Sequence, residues 1–281
     1  MPGTLYVVAT PIGNLEDVTL RALRVLRQVT VIAAEDTRRT ARLLQHYSIS
    51  TPTTSLHEHN ERQKAASLVD RLKAGDSVAL VSDAGTPLMS DPGAHLVAAA
   101  HAAGIRVEPV PGPVAAIAAL SASGFEASEV LFLGFPPSRS SDRKHWLARL
   151  SEETRVLVLY EAPHRIEASL RDMLEAWGDR TVALARELTK SHEELAIRPI
   201  SEHLQRLGTP RGEFTVVASP QSIVEAHGTP PPGEELVAEF GDLTNSGLGS
   251  RREILKLLSA KYGVSARDLY AIIERHKNSP E

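Results

Sequence analysis

From Val78 to Val81 the chain is apolar without interruption, and it then breaks into Ser82-Asp83-Ala84-Gly85-Thr86-Pro87-Leu88-Met89-Ser90-Asp91-Pro92-Gly93. A short apolar run bounded by turn formers reads as a strand buried on both faces, as in a parallel sheet covered by helices. Two glycines and two prolines set the backbone of the loop that follows. Main-chain N–H and C=O groups can therefore approach a ligand closely, while Asp83 and Asp91 supply acceptors. In an open α/β sheet, small molecules bind at the carboxyl ends of the strands. The same stretch also reads as an ordinary strand-to-helix turn, and its neighbours must distinguish the two.

Those neighbours alternate in the same sense. Strands are expected at 5–9, 29–33, 78–81 and 105–110. Helices are expected at 20–26 with Thr19 as cap, at 37–46, at 61–74 and 95–103 with Gly75 and Gly104 as stops, and at 114–121. The pattern predicts a parallel α/β domain over 1–122. A second α/β domain over 123–222 is expected to repeat the strand-helix rhythm, with strands at 130–135, 156–160, 182–185 and 214–218 and helices at 142–150 and 166–177. Gly228-Thr229-Pro230-Pro231-Pro232-Gly233 marks a linker at 223–234 before a small helical module at 235–281. In that module Ser250 with Glu253 and Ser265 with Asp268 match capping boxes. They predict two short helices joined at 262–264, either a helix-turn-helix or a plain helical hairpin.

At 281 residues the chain can bury proper cores without covalent staples. It has no cysteine, which excludes disulfides and thiolate metal sites and fits a cytoplasmic, reducing compartment. No stretch approaches the apolar length of a membrane span, and no leader pattern opens the chain, so neither export nor membrane insertion is expected. A net charge of −4 argues against polyanion binding through overall charge, and only 4% of residues are aromatic. Any nucleic-acid contact would therefore be local, with readout through Arg, Lys and shape rather than a stacking platform.

Several further segments place chemistry at strand ends. Thr10-Pro11-Ile12-Gly13-Asn14-Leu15 forms a rigid loop after the first strand but lacks a full G-x-G-x-x-G, and no G-x-x-x-x-G-K-[ST] occurs, so NAD and ATP sites lose support. Glu35-Asp36-Thr37-Arg38-Arg39 reads either as a substrate-facing charge cluster or as a helix start capped by Asp36 or Thr37. His57-Glu58-His59-Asn60-Glu61 lacks the ligand spacing of a metal site, and no metal is expected. His59 or Asn60 instead contacts substrate or caps the next helix. Tyr160-Glu161-Ala162-Pro163-His164-Arg165 and Arg186-Glu187-Leu188-Thr189-Lys190 each end a strand with mixed charge. Lys190 reads as a general base of lowered pKa or as a phosphate contact.

Taken in order, T-P-I-G-N-L, E-D-T-R, H-E-H-N-E, S-D-A-G-T-P, V-P-G-P at 110–113, Y-E-A-P-H-R and R-E-L-T-K resemble the ribosomal RNA small subunit methyltransferase I family of the tetrapyrrole-methylase superfamily. The likeness runs from about residue 4 to about 218, with the tail similar to the family's helical extension. The resemblance implies two α/β domains with S-adenosylmethionine held between them, usually in a homodimer. It implies transfer of a methyl group to the ribose 2′-oxygen of a cytidine in the decoding region of 16S rRNA, within the small ribosomal subunit. By the same matching, Ile12, Gly13, Asp83, Ala84, Gly85, Thr86, Met89, Val114, Ala115, Glu161, Ala162, Leu188 and Phe214 are expected at the cofactor. Thr86 stands where many relatives carry Asp, and Val114 where many carry Ser. Asp36, Glu35 and Lys190 are candidates for removing the hydroxyl proton, and Arg38, Arg165, Arg186 and His59 for holding substrate. Within the superfamily a corrin or porphyrin methylase is the alternative, and outside enzymes a non-catalytic ribosome assembly factor.

Overall fold

The structure, a computed structural model, describes residues 1–220, 231–245, 250–262 and 264–277. The chain divides into two compact units, Met1–Gln221 and Ser222–Glu281.

The first unit begins with a strand-helix succession: β1 (Thr4–Val8), α1 (Leu20–Gln28), β2 (Val31–Ala34), α2 (Thr37–His46), β3 (Thr53–Ser55), α3 (Glu61–Lys73), β4 (Val78–Val81), α4 (Ala94–Ala102), β5 (Arg106–Val110) and α5 (Ala115–Ser123). Its sheet is all parallel in the order β3-β2-β4-β1-β5. β2 and β4 are buried at every residue, as their unbroken apolar runs require. Alternation divides their side chains between two cores. Ile32, Ala79 and Val81 pack with Leu23, Leu26, Leu43 and Leu44 of α1 and α2. Val31, Val78 and Leu80 pack on the opposite face with Leu68, Leu72 and Leu96 of α3 and α4. The register pairs Ala34 with Val81 and Val8 with Val110, which brings the loops after β1, β2, β4 and β5 to one edge.

A second sheet follows: β6 (Val130–Phe132), α6 (Ser140–Ala148), β7 (Val156–Glu161), α7 (Ile166–Trp177), β8 (Thr181–Arg186), β9 (Glu194–Pro199), α8 (Ile200–Arg206) and β10 (Phe214–Ala218). Its order is β6-β7-β10-β8-β9. The expected strand-helix rhythm holds from β6 to β8 and breaks where β9 follows β8 directly. Only β6 and β7 pair in parallel, while β10 runs antiparallel to β7 and β8, and β9 antiparallel to β8. β9 is an edge strand with mixed polarity and no clean alternation, so its sequence carried little strand signal. α5 packs on this second sheet, with Ala116 and Ala119 against Val158, Ala183 and Val217.

The second unit holds α9 (Gly233–Asn245), α10 (Arg251–Tyr262) and α11 (Ala266–Lys277) around Leu236, Phe240, Ile254, Leu258, Leu269 and Ile273. The Ser250 N–H donates to Glu253 at 2.7 Å and the Glu253 N–H returns to Ser250 Oγ at 3.4 Å, a reciprocal capping box. Ser265 Oγ accepts the Asp268 N–H at 3.1 Å. The two capping boxes predict α10 and α11 but not α9, which begins in the last residues of the expected linker. The rest of that linker, through residue 230, lies outside the described residues.

Candidate cofactor and acceptor site

The loops at the common strand edge are bonded to one another. Thr10 and Gly85 exchange main-chain hydrogen bonds at 2.8 and 3.0 Å, joining the first loop to the glycine-rich one. Gly85 has φ +80°, and a Cβ there would lie 3.3 Å from Ile12 and 3.5 Å from the Pro113 carbonyl, so glycine is required. Thr86 Oγ1 donates to that carbonyl at 3.1 Å. One Asp83 oxygen accepts the Asp36 N–H at 2.9 Å and the other pairs with Arg39 at 3.2 Å. Gly13 passes so close to the loop after β8 that a Cβ would meet Lys190 and Leu188, and the Asn14 N–H reaches Thr189 Oγ1 at 2.9 Å.

On the second sheet, Glu161 ends β7 fully buried. It accepts the Ala162 N–H at 2.8 Å and the Ser169 hydroxyl, and pairs with Arg165 at 3.2 Å. Arg165 also donates to the carbonyls of Pro136 and Pro137 at 2.6 and 3.1 Å. These bonds fix the loop at the strand end and occupy the guanidinium.

Between these walls lies a cavity of about 310 Å³. Eleven of the thirteen expected cofactor residues line it: Ile12 from the first loop; Ala84, Gly85, Thr86 and Met89 after β4; Val114 and Ala115 entering α5; Glu161 and Ala162 after β7; Leu188 and Phe214 beside β8 and β10. The other two, Gly13 and Asp83, line an adjoining cavity of about 240 Å³ together with Lys190, Arg39 and Arg42. The two hollows share Ile12, Ala84 and Glu213.

The remaining candidates lie outside both hollows. Asp36 caps α2 through the Arg38 N–H at 2.8 Å and pairs with the Arg38 side chain at 2.9 Å, so the capping alternative describes its bonds. The Arg38 hydrogen bonds hold the Asp36 carboxyl down at about 2, which leaves a weak base. Glu35 sits beside Asp83 and accepts its N–H at 3.4 Å. Burial first, and then the charge of Asp83, raises its pKa. His59 is exposed, with its ring 6.0 Å from that of His57. The Asn60 side chain accepts the His57 N–H at 2.9 Å and makes no bond to α3, so it does not cap that helix. Arg186 pairs with Glu194 at 3.2 Å and borders a separate hollow with Arg198 and Arg206.

Lys190 is not the depressed base that its basic neighbours suggested. Burial by itself lowers its pKa, but hydrogen bonds to Glu187 and Glu213, each 2.8 Å, outweigh burial and raise it. Asp91, expected as an acceptor in the loop after β4, lines the first cavity, and so do Phe135, Tyr160 and Glu213, which no motif singled out as cofactor residues. Tyr160 stands directly before Glu161 and Glu213 directly before Phe214, so adjacency to expected cofactor residues was the available signal for these two. Asp91 is pushed up to about 6, by burial first and then by the charges of Glu35 and Asp83, against a hydrogen bond from Ser82. Tyr160 is raised by burial, and its hydroxyl accepts the Ala116 N–H at 3.3 Å. Among the described residues no group of three or more His, Asp or Glu could hold a metal ion, and no helix is long and apolar enough to cross a membrane.

Residues 4–203 match the family described as Tetrapyrrole (Corrin/Porphyrin) Methylases. The chain is 54% identical over 201 residues to "Ribosomal RNA small subunit methyltransferase I" of Pseudomonas aeruginosa, covering 71% of each protein. It is 44% identical over 278 residues to the protein of that name from Halalkalibacterium halodurans, covering 96% of this chain and 94% of the relative. Among solved structures, uroporphyrin-III-C-methyltransferase from Thermus thermophilus has the same fold at a TM-score of 0.55 and 24% identity, over 76% of this chain and 94% of that one. A cobalt precorrin-4 methyltransferase matches at 0.58 and 17% identity, over 77% and 94%. The chain belongs to the tetrapyrrole methylases and, through relatives matched over nearly their whole length, to the ribosomal RNA small subunit methyltransferase I family.

Proposed function

We propose that the chain is an S-adenosylmethionine-dependent methyltransferase acting on the ribose 2′-oxygen of a cytidine in the decoding region of 16S rRNA, within the small ribosomal subunit. The observation that carries this reading is the pair of adjoining cavities, one mostly apolar and one bordered by Arg39, Arg42 and Lys190. The first fits the cofactor. Its volume lies within the usual range for small-molecule sites, about 300–1,000 Å³. Ile12, Val114, Leu188 and Phe214 offer apolar walls for a nucleoside, and Gly85, with no side chain, exposes its backbone beside Ile12 and Pro113 at the cavity wall. The second suits a ribose–phosphate chain, since cations beside a donor pocket can hold an acceptor backbone without reading its bases.

When bound, S-adenosylmethionine supplies an electrophilic methyl group. The chain's own part is positioning. The Thr10–Gly85 pair and the Thr86–Pro113 bond hold the loops rigid, so two reactants meet without paying fresh orientational entropy. Arg165 and Ser169 fix Glu161 at the end of β7 and thereby set the second wall. Glu187 and Glu213 hold Lys190 as a cation suited to phosphate rather than as a base. A homodimer in the cytoplasm belongs to the same reading, which rests on the family's habits and on a fold without cysteine.

The test is incubation with labelled S-adenosylmethionine and small subunits from a strain lacking the enzyme, followed by mapping of the modified nucleotide. A 2′-O-methyl on one decoding-region cytidine is the expected result. Labelling of a free tetrapyrrole but not of subunits would overturn the acceptor, and absence of cofactor binding by calorimetry would overturn the enzyme reading.

A further inference from the structure

Removal of the acceptor's hydroxyl proton needs a base at the donor cavity, and the three candidates read from the sequence are each committed elsewhere. Asp36 is spent on Arg38 and the start of α2, Lys190 is held as a cation between two carboxylates, and Glu35 borders neither cavity. Of the carboxylates that line the cavity, Glu161 is tied to Arg165 and Ser169, and Glu213 to Lys190. Asp91 remains.

The ordinary duty of an aspartate before a helix is to cap it. Asp91 is relieved of that duty. The N–H groups of Gly93 and His95 at the start of α4 donate instead to Glu61, at 3.0 and 2.8 Å, and the capping residue is Gly93. Among the described residues no basic side chain is paired with Asp91. The groups that face it are Ser82 and Asp83 on its own loop, Glu35 after β2, and Tyr160 on β7.

We propose that Asp91 accepts the proton of the acceptor hydroxyl during methyl transfer, an assignment that rests on the methyltransferase reading above. The new O–CH3 bond forms as the S–CH3 bond breaks, the electron pair of that bond stays on sulfur to leave a neutral thioether, and the hydroxyl proton passes to an Asp91 carboxylate oxygen. A carboxyl held near 6 is a stronger base than an ordinary aspartate, yet it is ionised at neutral pH, as a general base must be.

The experiment compares wild type with Asp91→Asn and Asp91→Glu on small subunits, alongside calorimetry of S-adenosylmethionine binding and a carboxyl carbon-13 titration of the cofactor-free protein. In the titration, the wild type is expected to show a carboxyl titrating near 6 that disappears in Asp91→Asn. Loss of a general base predicts that Asp91→Asn turns over roughly 100-fold or more slowly, with cofactor affinity held to within about 3-fold. The wild-type rate should rise through pH about 6 and the residual rate of Asp91→Asn should lack that limb, while Asp91→Glu regains part of the rate. Equal loss of cofactor affinity and turnover would make Asp91 a donor-holding group and overturn the assignment, as would an unchanged rate. Wild-type protein that labels no subunits overturns the acceptor reading along with it, whereas an active wild type beside an equally active Asp91→Asn overturns this assignment alone.

Discussion

The hydroxyl of Thr86 and the main-chain carbonyl of Pro113 are joined by a 3.1 Å hydrogen bond that ties the loop after β4 to the loop entering α5. Threonine at this position serves as a brace between two cavity walls. Thr86→Val keeps the shape and removes the donor, so it should destabilise the protein by about 1–2 kcal/mol in urea unfolding and weaken cofactor binding severalfold, while Thr86→Ser retains both.

Glu61 of α3 is buried and accepts two N–H groups at the start of α4, which has no side-chain cap of its own. Hydrogen bonds to a charged partner are worth roughly 1.5–3 kcal/mol, so Glu61→Ala should cost on the order of 2–3 kcal/mol. Because Gly93 is two residues from Asp91, the same change should slow methyl transfer even at temperatures where the variant is fully folded by circular dichroism.

Arg143 and Asp172 form a buried pair between α6 and α7, with nitrogen–oxygen distances of 2.7 Å. Removing one partner strands the other charge in an apolar surrounding. Asp172→Ala is expected to cost about 3–5 kcal/mol by chemical denaturation, and replacing both partners with apolar residues should recover most of the loss.

Folding stability of the cofactor-free protein should carry the signature of Asp91. A carboxyl raised from 3.8 to about 6 binds its proton more tightly in the folded than in the unfolded chain. Its stabilising effect is complete below the unfolded value and is lost as pH rises through about 6. Asp91→Asn removes that loss, so the variant should gain on the order of 1 kcal/mol over wild type between pH 5 and pH 8, a figure reduced for solvent screening at a half-buried site. Melting temperatures of the two proteins across this range test it.

Arg42 borders the second cavity, and no ion pair holds it among the described residues. If that hollow takes a phosphate, Arg42→Ala should weaken small-subunit binding and reduce the salt slope by about one counterion, leaving cofactor affinity unchanged.

Much of the fold was legible because its signals are local. The helices at 37–46 and 166–177 and the strands at 78–81 and 214–218 have the limits that apolar periodicity and stop residues predict. β3 and β9 were missed because a three-residue strand and a polar edge strand have too little buried surface to imprint a pattern. The antiparallel placement of β10 was equally hidden, since a buried strand looks the same whichever way its partner runs.

By itself the sequence determined the strand-helix succession, the rigid loops at strand ends and the family, because backbone preference and periodic burial act over a few neighbouring residues. Only the tertiary structure decided which charged groups are free. The bond from the Asp36 N–H to Asp83 spans 47 positions, and that from Lys190 to Glu213 spans 23. Pairing across such distances is set by sheet order and register, which no local pattern encodes. The glycine-rich loop was therefore readable as a cofactor wall from its own residues, but the standing of Asp91 within it depended on Glu61, Glu35 and Tyr160, brought there from three other elements.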